Sequence, residues 1–172
     1  MNKIVFVING AGGVGKDTLC DICAAHFKTK NISSITPIKE IAKSFGWNGE
    51  KDDKARKFLA DIKRASVEYN DFPTLWALRR YEEFLNSDEQ IMFVHIREPE
   101  EIAKFVSATG GTAKTLLIRG GERMTKTHYG NAADDSVENY EYDYYFLNDK
   151  SLDEAGKLFC QMISDILDGV AN

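Results

Sequence analysis

The chain has 172 residues, enough for one domain with a full core, and its 43% hydrophobic and 28% charged residues are typical of a soluble globular protein. A formal net charge of −5 argues against a broad nucleic-acid or anionic-membrane surface, although it does not exclude a local basic cleft for phosphates. No apolar run approaches the ~20 residues that span a bilayer, and the short apolar run near the first residue does not predict a signal peptide. We therefore expect a cytoplasmic protein with no nucleic-acid or membrane partner.

The first predicted strand, residues 3–8, leads into a glycine-rich turn and then into a predicted helix that begins at Lys16. Gly10 and Gly15 enclose four residues and a lysine follows, which is the G-x-x-x-x-G-K spacing of a Walker A loop. Glycines let backbone N–H groups approach phosphate oxygens, the helix directs the positive end of its dipole at the same anion, and Lys16 can reach the β- and γ-phosphates. The loop therefore predicts a site for the triphosphate of ATP. The expected contacts are Gly10, Ala11, Gly12, Gly13, Val14, Gly15, Lys16, Asp17 and Thr18.

The same glycines also fit a second pattern, because Gly10, Gly12 and Gly15 spell the G-x-G-x-x-G of dinucleotide sites. That fingerprint needs an acidic residue about 20 residues further on, at the end of the second strand. The predicted second strand, residues 32–36, ends in Thr-Pro instead, and a lysine directly after the last glycine is typical of a triphosphate loop. We therefore favour the triphosphate site.

Asp17 stands at the position where Walker A loops usually carry the Ser or Thr that binds Mg²⁺. A carboxylate beside phosphates is repelled unless a cation lies between them. Asp17 therefore either holds Mg²⁺, directly or through water, or faces away as an acid in the first turn of the helix. Thr18 is then the hydroxyl donor to an inner phosphate, or an ordinary first-turn residue.

The predicted strands and helices alternate along the rest of the chain, with strands three, four and five at residues 91–96, 115–118 and 144–147. Alternation of this kind predicts a three-layer α/β fold, in which about five parallel strands carry helices on both faces. Residues 1–172 are expected to form a single domain of this kind.

About fifty residues, nearly all in predicted helices, separate strands two and three, which is more than a plain crossover connection needs. We expect this stretch, about residues 37–86, to be a helical insert that binds a substrate. Arg79 and Arg80 within it are candidate substrate contacts. Because adjacent residues cannot share a helix face, at most one of them is expected to point into a site.

Basic residues follow three of the predicted strands, although the chain as a whole is acidic. Lys39 comes shortly after strand two, Arg97 after strand three and Arg119 after strand four. Ligands bind where the carboxyl ends of parallel strands meet, so these cations predict a second polyanion beside the triphosphate. The candidates for stabilising that group during transfer are Lys16, Asp17, Arg97 and Arg119. Alternatively, the arginines pair with Glu98, Glu101 or Glu122.

The segment at about residues 120–141 contains several glycines and charges and has no apolar period. Glycines allow hinging, and Arg123, Lys126 and His128 could close over the phosphates and exclude water, which makes Arg123 a catalytic candidate. A solvated loop accounts for the same composition. The sequence therefore leaves a lid and a surface loop as alternatives.

Four motifs follow one another along most of the chain: G-K-D-T at residues 15–18, P-I-K-E-I-A-K-S-F-G-W at 37–47, H-I-R-E-P-E-E-I at 95–102 and D-D-S-V-E at 134–138. In this order they resemble the P-loop deoxynucleoside monophosphate kinases of phage and bacterial type, which have phosphomevalonate kinases as relatives. The resemblance implies the P-loop NTPase fold of nucleoside monophosphate kinases. It also implies ATP- and Mg²⁺-dependent phosphorylation of an acceptor phosphate, with a deoxynucleoside monophosphate as the leading acceptor.

The resemblance also implies roles for single residues. By motif position, Lys16 and Arg97 would stabilise transfer, Lys39 would lie by the acceptor pocket, and the lid region or its base would contain Ser136 and Glu138. One position departs from the family, which tends to have Asp where this chain has His95. A kinase for another small metabolite and a nucleotide-binding module without transferase activity are therefore kept as alternatives, and a homodimer is left open.

Overall fold

Five strands form one sheet in a computed structural model that describes residues 2–121 and 136–170. The strands are β1 (Ile4–Asn9), β2 (Thr29–Ser33), β3 (Ile91–His95), β4 (Lys114–Gly120) and β5 (Tyr144–Asn148). Their order across the sheet is β2-β3-β1-β4-β5, and every neighbouring pair is parallel. All five carboxyl ends therefore lie at the same edge of the sheet.

Helices cover both faces of this sheet. In the described residues they are α1 (Lys16–Ala24), α2 (Thr36–Ser44), α3 (Asp53–Asn70), α4 (Phe72–Leu85), α5 (Pro99–Ala108) and α6 (Leu152–Leu167), with a 3₁₀ turn at Val137–Asn139. Helices α1 and α6 pack against each other, while α4 packs on α5, β2 and β3. The predicted three-layer α/β fold with five parallel strands is confirmed. In the part of the chain that the structure describes, no helix is both long and apolar enough to cross a membrane.

The central strand β1 is apolar on both faces, which is why it lies in the middle of the sheet. Phe6, Val7 and Ile8 are completely buried. Phe6 stacks on Phe93 of β3 with ring centroids 6.0 Å apart, and Phe93 in turn lies 6.2 Å from Phe159 of α6. Burying each such side chain contributes roughly 1.5–3 kcal/mol. This packing fixes the end of β1, and with it the glycine-rich loop that follows.

The edge strand β2 is three residues earlier than the predicted strand at 32–36, so that prediction is wrong. Its ladder begins where the amides of Gln90 and Ile91 donate to the carbonyl of Lys28, and it ends at Ser33, which pairs with His95. The chain then turns at once into α2, where Pro37 occupies the first turn of the helix. Because Ile35 is the N-cap of α2 and Thr36 is its first residue, these two residues cannot continue the strand.

Helices α2, α3 and α4 make up the long connection between β2 and β3. Helix α3 lies on the outside, with Ala55 as its one buried residue. The lid-like segment expected at about 120–141 lies mostly outside the described residues, and Arg123 lies outside them as well.

Candidate active site

The glycine-rich loop curves over the start of α1 in a backbone conformation that needs its glycines. Gly13 and Gly15 both have φ of 83°, in the left-handed region, and Gly15 is the N-cap of α1. Gly10 is needed for space, because a Cβ there would lie 2.7 Å from the carbonyl oxygen of Ile118. The loop therefore packs closely against the end of β4. It leads directly into the first turn of α1, whose free amides can bind an anion.

Two buried asparagines brace this loop, a role that the sequence did not predict for either of them. Asn148, at the end of β5, donates from Nδ2 to the carbonyl of Val14 over 2.9 Å. A Cβ added at Gly15 would lie only 2.5 Å from the same Nδ2. Gly15 therefore serves two purposes, a left-handed φ and room for the Asn148 side chain.

The second asparagine, Asn9, joins the loop to the end of β3. Its Oδ1 accepts from the amide of Gly10 over 2.8 Å, and its Nδ2 donates to the carbonyl of Arg97 over 3.0 Å. Nδ2 also donates to the Tyr142 hydroxyl over 2.8 Å, and that hydroxyl donates to the carbonyl of Val137. Burial raises the pKa of Tyr142 to about 12, so the hydroxyl keeps its proton. This network holds the loop and the Arg97 backbone in a fixed relation.

Lys16, Asp17 and His95 meet at the mouth of the loop. Lys16 is 9% exposed, and its Nζ lies 3.8 Å from Oδ1 of Asp17. The same Oδ1 is 3.5 Å from Nδ1 of His95, and Nε2 of His95 lies 2.7 Å from Oδ1 of Asn31. Burial and then the Lys16 charge lower the pKa of His95 to about 4, so its ring is neutral near pH 7.

The Asp17 carboxylate at this mouth fits Mg²⁺, which Walker A loops bind together with nucleotide. The Asp17 side chain is 81% exposed, and a carboxylate oxygen is the kind of ligand that Mg²⁺ prefers. Within the described ranges, no group of three His, Cys, Asp or Glu side chains could hold a metal ion on its own. A cation here would therefore need phosphate oxygens or water for the rest of its ligands. Thr18 is exposed and does not line the cleft described next.

A cleft of about 960 Å³ opens beside Lys16, beyond the carboxyl ends of β1, β2 and β3 and against α2 and α3. This volume suits a small organic ligand. Its basic side chains are Lys16, Lys39, Lys51, Arg56, Lys63 and Arg97, and its acidic ones are Asp17, Glu50 and Glu98. Cations therefore outnumber acids in this cleft, whereas acids outnumber cations in the chain as a whole.

One of these cations, Lys63, is already neutralised by two carboxylates. Its Nζ lies 2.6 Å from Glu98 and 3.0 Å from Glu101. Burial and the charge of Glu98 raise the pKa of Glu101 to about 7. Burial by itself would raise the pKa of Glu98 as well, but the charge and hydrogen bond of Lys63 have the larger combined effect, so the pKa of Glu98 is lowered. Two carboxylates therefore already balance the charge of Lys63 inside the cleft.

An aromatic side chain that sequence reasoning did not assign to the site also lines the cleft. Trp47 follows α2, is half-buried, and donates from its indole N–H to the carbonyl of Glu50 over 3.0 Å. That hydrogen bond fixes the indole ring at the wall of the cleft. The cleft therefore has a flat apolar surface in its lining, together with the cations Lys51 and Arg56.

Several residues expected in the site do not line this cleft. Arg119 binds the carboxylate of Glu138 through two nitrogens, at 3.0 and 2.7 Å, and its guanidinium lies over the Tyr145 ring. The hydrogen bond with Glu138 raises the pKa of Arg119. Ser136 lies at the start of the 3₁₀ turn that contains Glu138. Arg119, Ser136 and Glu138 are thus outside the cleft lining.

The two arginines of α4 are also outside the cleft lining. Arg79 is exposed. Arg80 pairs with Glu83 over 2.6 Å and lies over the Trp76 ring. The structure therefore brings Lys16, Asp17, Lys39 and Arg97 together and leaves Arg79 and Arg80 apart from them.

Comparison with known proteins bears on the fold. No family model matches the chain, and no curated protein matches it. Among solved structures, a gluconokinase from Sinorhizobium meliloti 1021 is similar at 16% identity, over 98% of this chain and 95% of that one, with a TM-score of 0.50. TT1252 from Thermus thermophilus is similar at 15% identity, over 96% of this chain and 99% of that one, with a TM-score of 0.57. At such identities the likeness shows the fold alone, and the chain shares it over nearly its whole length.

Proposed function

We propose that the protein is an ATP-dependent phosphotransferase whose acceptor is a small anion, with a deoxynucleoside monophosphate as the leading substrate. The observation that carries this proposal is the basic cleft of an acidic chain, which opens directly beside the lysine of a triphosphate loop. A protein that only bound ATP would need the loop but not the cleft.

The donor half of the site is the glycine-rich loop. Backbone amides of the loop and of the first turn of α1 would bind the phosphates of ATP, and Lys16 would neutralise the β- and γ-phosphates. Asp17 would hold Mg²⁺ when nucleotide is bound, which would supply charge neutralisation on the triphosphate.

The acceptor half is the cleft between the sheet and helices α2 and α3. Arg97 lines it just after β3 and Lys39 lines it from α2, and they would bind the acceptor phosphate. Trp47 would stack on the base, because an indole face suits a flat ring. This combination of cations and a fixed aromatic ring is what favours a nucleotide over a smaller anion.

The transfer itself would be direct and in line. An oxygen of the acceptor phosphate forms a bond to the γ-phosphorus as the bond from that phosphorus to the β–γ bridging oxygen breaks, and ADP leaves with the bonding electron pair. The acceptor phosphate is already ionised near pH 7, so no general base is required. Lys16 and Arg97 would stabilise the charge that spreads over the moving group.

A coupled assay of ADP release tests this proposal. The acceptors are the four deoxynucleoside monophosphates, the matching ribonucleotides, and gluconate, an anion that has hydroxyl groups and a carboxylate but no phosphate. We expect at least one deoxynucleoside monophosphate to stimulate turnover. Lys39→Ala should raise the KM for that acceptor and leave the KM for ATP unchanged, while Lys157→Ala, on the exposed face of α6, should change neither.

The other outcomes identify the alternatives. Stimulation by gluconate alone would indicate a kinase for a hydroxylated metabolite. ATP binding without acceptor-stimulated turnover would favour a nucleotide-binding module and overturn the proposal.

A further inference from the structure

The imidazole of His95 faces the Asp17 carboxylate across a gap that contains no good hydrogen bond. Nδ1 of His95 and Oδ1 of Asp17 are 3.5 Å apart. Charge-assisted hydrogen bonds between such atoms are about 2.7–2.9 Å long. The His95 side chain is only 13% exposed, so it is fixed in this position.

The other ring nitrogen determines where the proton of His95 lies. Nε2 is 2.7 Å from Oδ1 of Asn31, and an amide oxygen only accepts. Nε2 therefore carries the proton and donates it. In a neutral imidazole Nδ1 then carries a lone pair, and Nδ1 is the ring nitrogen that lies 3.5 Å from Oδ1 of Asp17.

Two electron-rich atoms thus lie side by side at the mouth of the triphosphate loop. A lone pair and a carboxylate oxygen repel each other unless a cation or a proton lies between them. Lys16 balances the carboxylate only from 3.8 Å. Both side chains line the same cleft beside that lysine.

We propose that Nδ1 of His95 and Oδ1 of Asp17 together bind the divalent cation that accompanies ATP, which makes this a mixed nitrogen and oxygen site that favours Mn²⁺ or Co²⁺ over Mg²⁺. The inference rests on the proposed function, since phosphate oxygens of the bound nucleotide must complete the ligand set. Mg²⁺ prefers oxygen ligands alone, whereas first-row transition ions accept imidazole. With two protein ligands only, the site should bind the cation weakly without nucleotide.

Electron spin echo spectroscopy of Mn²⁺ bound together with β,γ-imido-ATP tests this directly, because it detects nitrogen nuclei that ligate the ion. The wild-type protein is prepared with natural and with ¹⁵N-labelled histidine. We expect a ¹⁴N coupling that becomes a ¹⁵N coupling on labelling. The coupling should be lost in His95→Ala. It should be kept in His26→Ala, the control, because the His26 side chain is exposed just after α1.

A competition titration gives a second readout. We expect His95→Asp, which replaces the nitrogen ligand by oxygen, to lower the preference for Mn²⁺ over Mg²⁺ at least about tenfold. Mutating residues that only support a metal's ligands already changes metal affinity by about 10- to 100-fold. The labelling experiment uses the wild-type protein, so it tests the proposal even where a variant fails to fold.

The outcomes separate this inference from the proposed function. Mn²⁺ and nucleotide that bind without any histidine coupling would overturn the role of His95 and leave the phosphotransferase proposal standing. Failure of the nucleotide to bind with any cation, measured by calorimetry, would overturn both.

Discussion

Replacing Gly15 by alanine should destabilise the protein more than the same change at Gly13, although both glycines have φ of 83°. The left-handed conformation costs an alanine roughly 1–2 kcal/mol at either position. At Gly13 nothing lies within 4 Å of the added Cβ, whereas at Gly15 the Cβ would lie 2.5 Å from Nδ2 of Asn148. Gly13→Ala is therefore a matched control for the backbone cost.

The extra cost at Gly15 comes from the hydrogen bond that must break. Asn148 is 8% exposed and donates to the carbonyl of Val14 over 2.9 Å, so moving it leaves a buried donor and a buried acceptor unpaired. Such a loss costs about 1–3 kcal/mol. We expect Gly15→Ala to lower the free energy of unfolding by about 2–5 kcal/mol, against about 1–2 kcal/mol for Gly13→Ala.

Urea unfolding followed by circular dichroism measures both values. A double-mutant cycle with Asn148→Ala sharpens the test, because removing the side chain removes the clash and should bring the cost of Gly15→Ala down to that of Gly13→Ala. Equal costs for Gly13→Ala and Gly15→Ala in the wild-type background, within about 0.5 kcal/mol, would refute the account of Asn148 as the brace of the loop.

Three further predictions concern charges. Asp17→Ala should remove the gain in ATP affinity that Mg²⁺ provides, measured by calorimetry with and without the metal, and an unchanged Mg²⁺ dependence would eliminate the metal role. Arg97→Ala should lower acceptor-stimulated turnover about 10²-fold or more, while Arg119→Ala should lower it far less because Arg119 does not line the cleft; equal losses would contradict this. Because the pKa of Glu101 is raised to about 7, the stability from its protonated form is complete below the ordinary pKa of 4.5 and is lost as the pH rises through 7. The melting temperature should therefore fall as the pH rises over this range. Glu101→Gln should remove this pH dependence, whereas Glu100→Gln, an exposed control, should keep it. Equal slopes of melting temperature against pH in the two variants would count against a raised pKa.

The loop and the central strand could be predicted from the sequence because their signals are local. The glycine spacing before Lys16 requires only a few consecutive residues, and the buried run of β1 reads as one apolar block. The edge strand β2 was misplaced for the opposite reason. Its residues, Thr-Lys-Asn-Ile-Ser, contain a single aliphatic side chain and none is fully buried, so no hydrophobic pattern marks it.

The contacts that brace the loop could not be predicted from the sequence because they are long-range. Asn148 reaches Val14 across 134 positions and Asn9 reaches Tyr142 across 133, so neither has a local signature. The same reason explains why Arg119 was expected in the site. Its position after a strand could be read from the sequence, whereas its pairing with Glu138 could not. The carboxyl-end rule thus gives the edge where a ligand binds, but it cannot say which of the cations at that edge already have a partner.

The central claim is that ATP and an anionic acceptor bind side by side at one edge of the sheet. Conjugates in which adenosine and each of the four deoxynucleosides are joined by five phosphates test it most directly, with calorimetry as the measurement. We predict that at least one conjugate binds about 10²-fold or more tightly than ATP, and that Lys39→Ala removes this gain while leaving ATP binding intact. Conjugates that all bind no more tightly than ATP would contradict the claim.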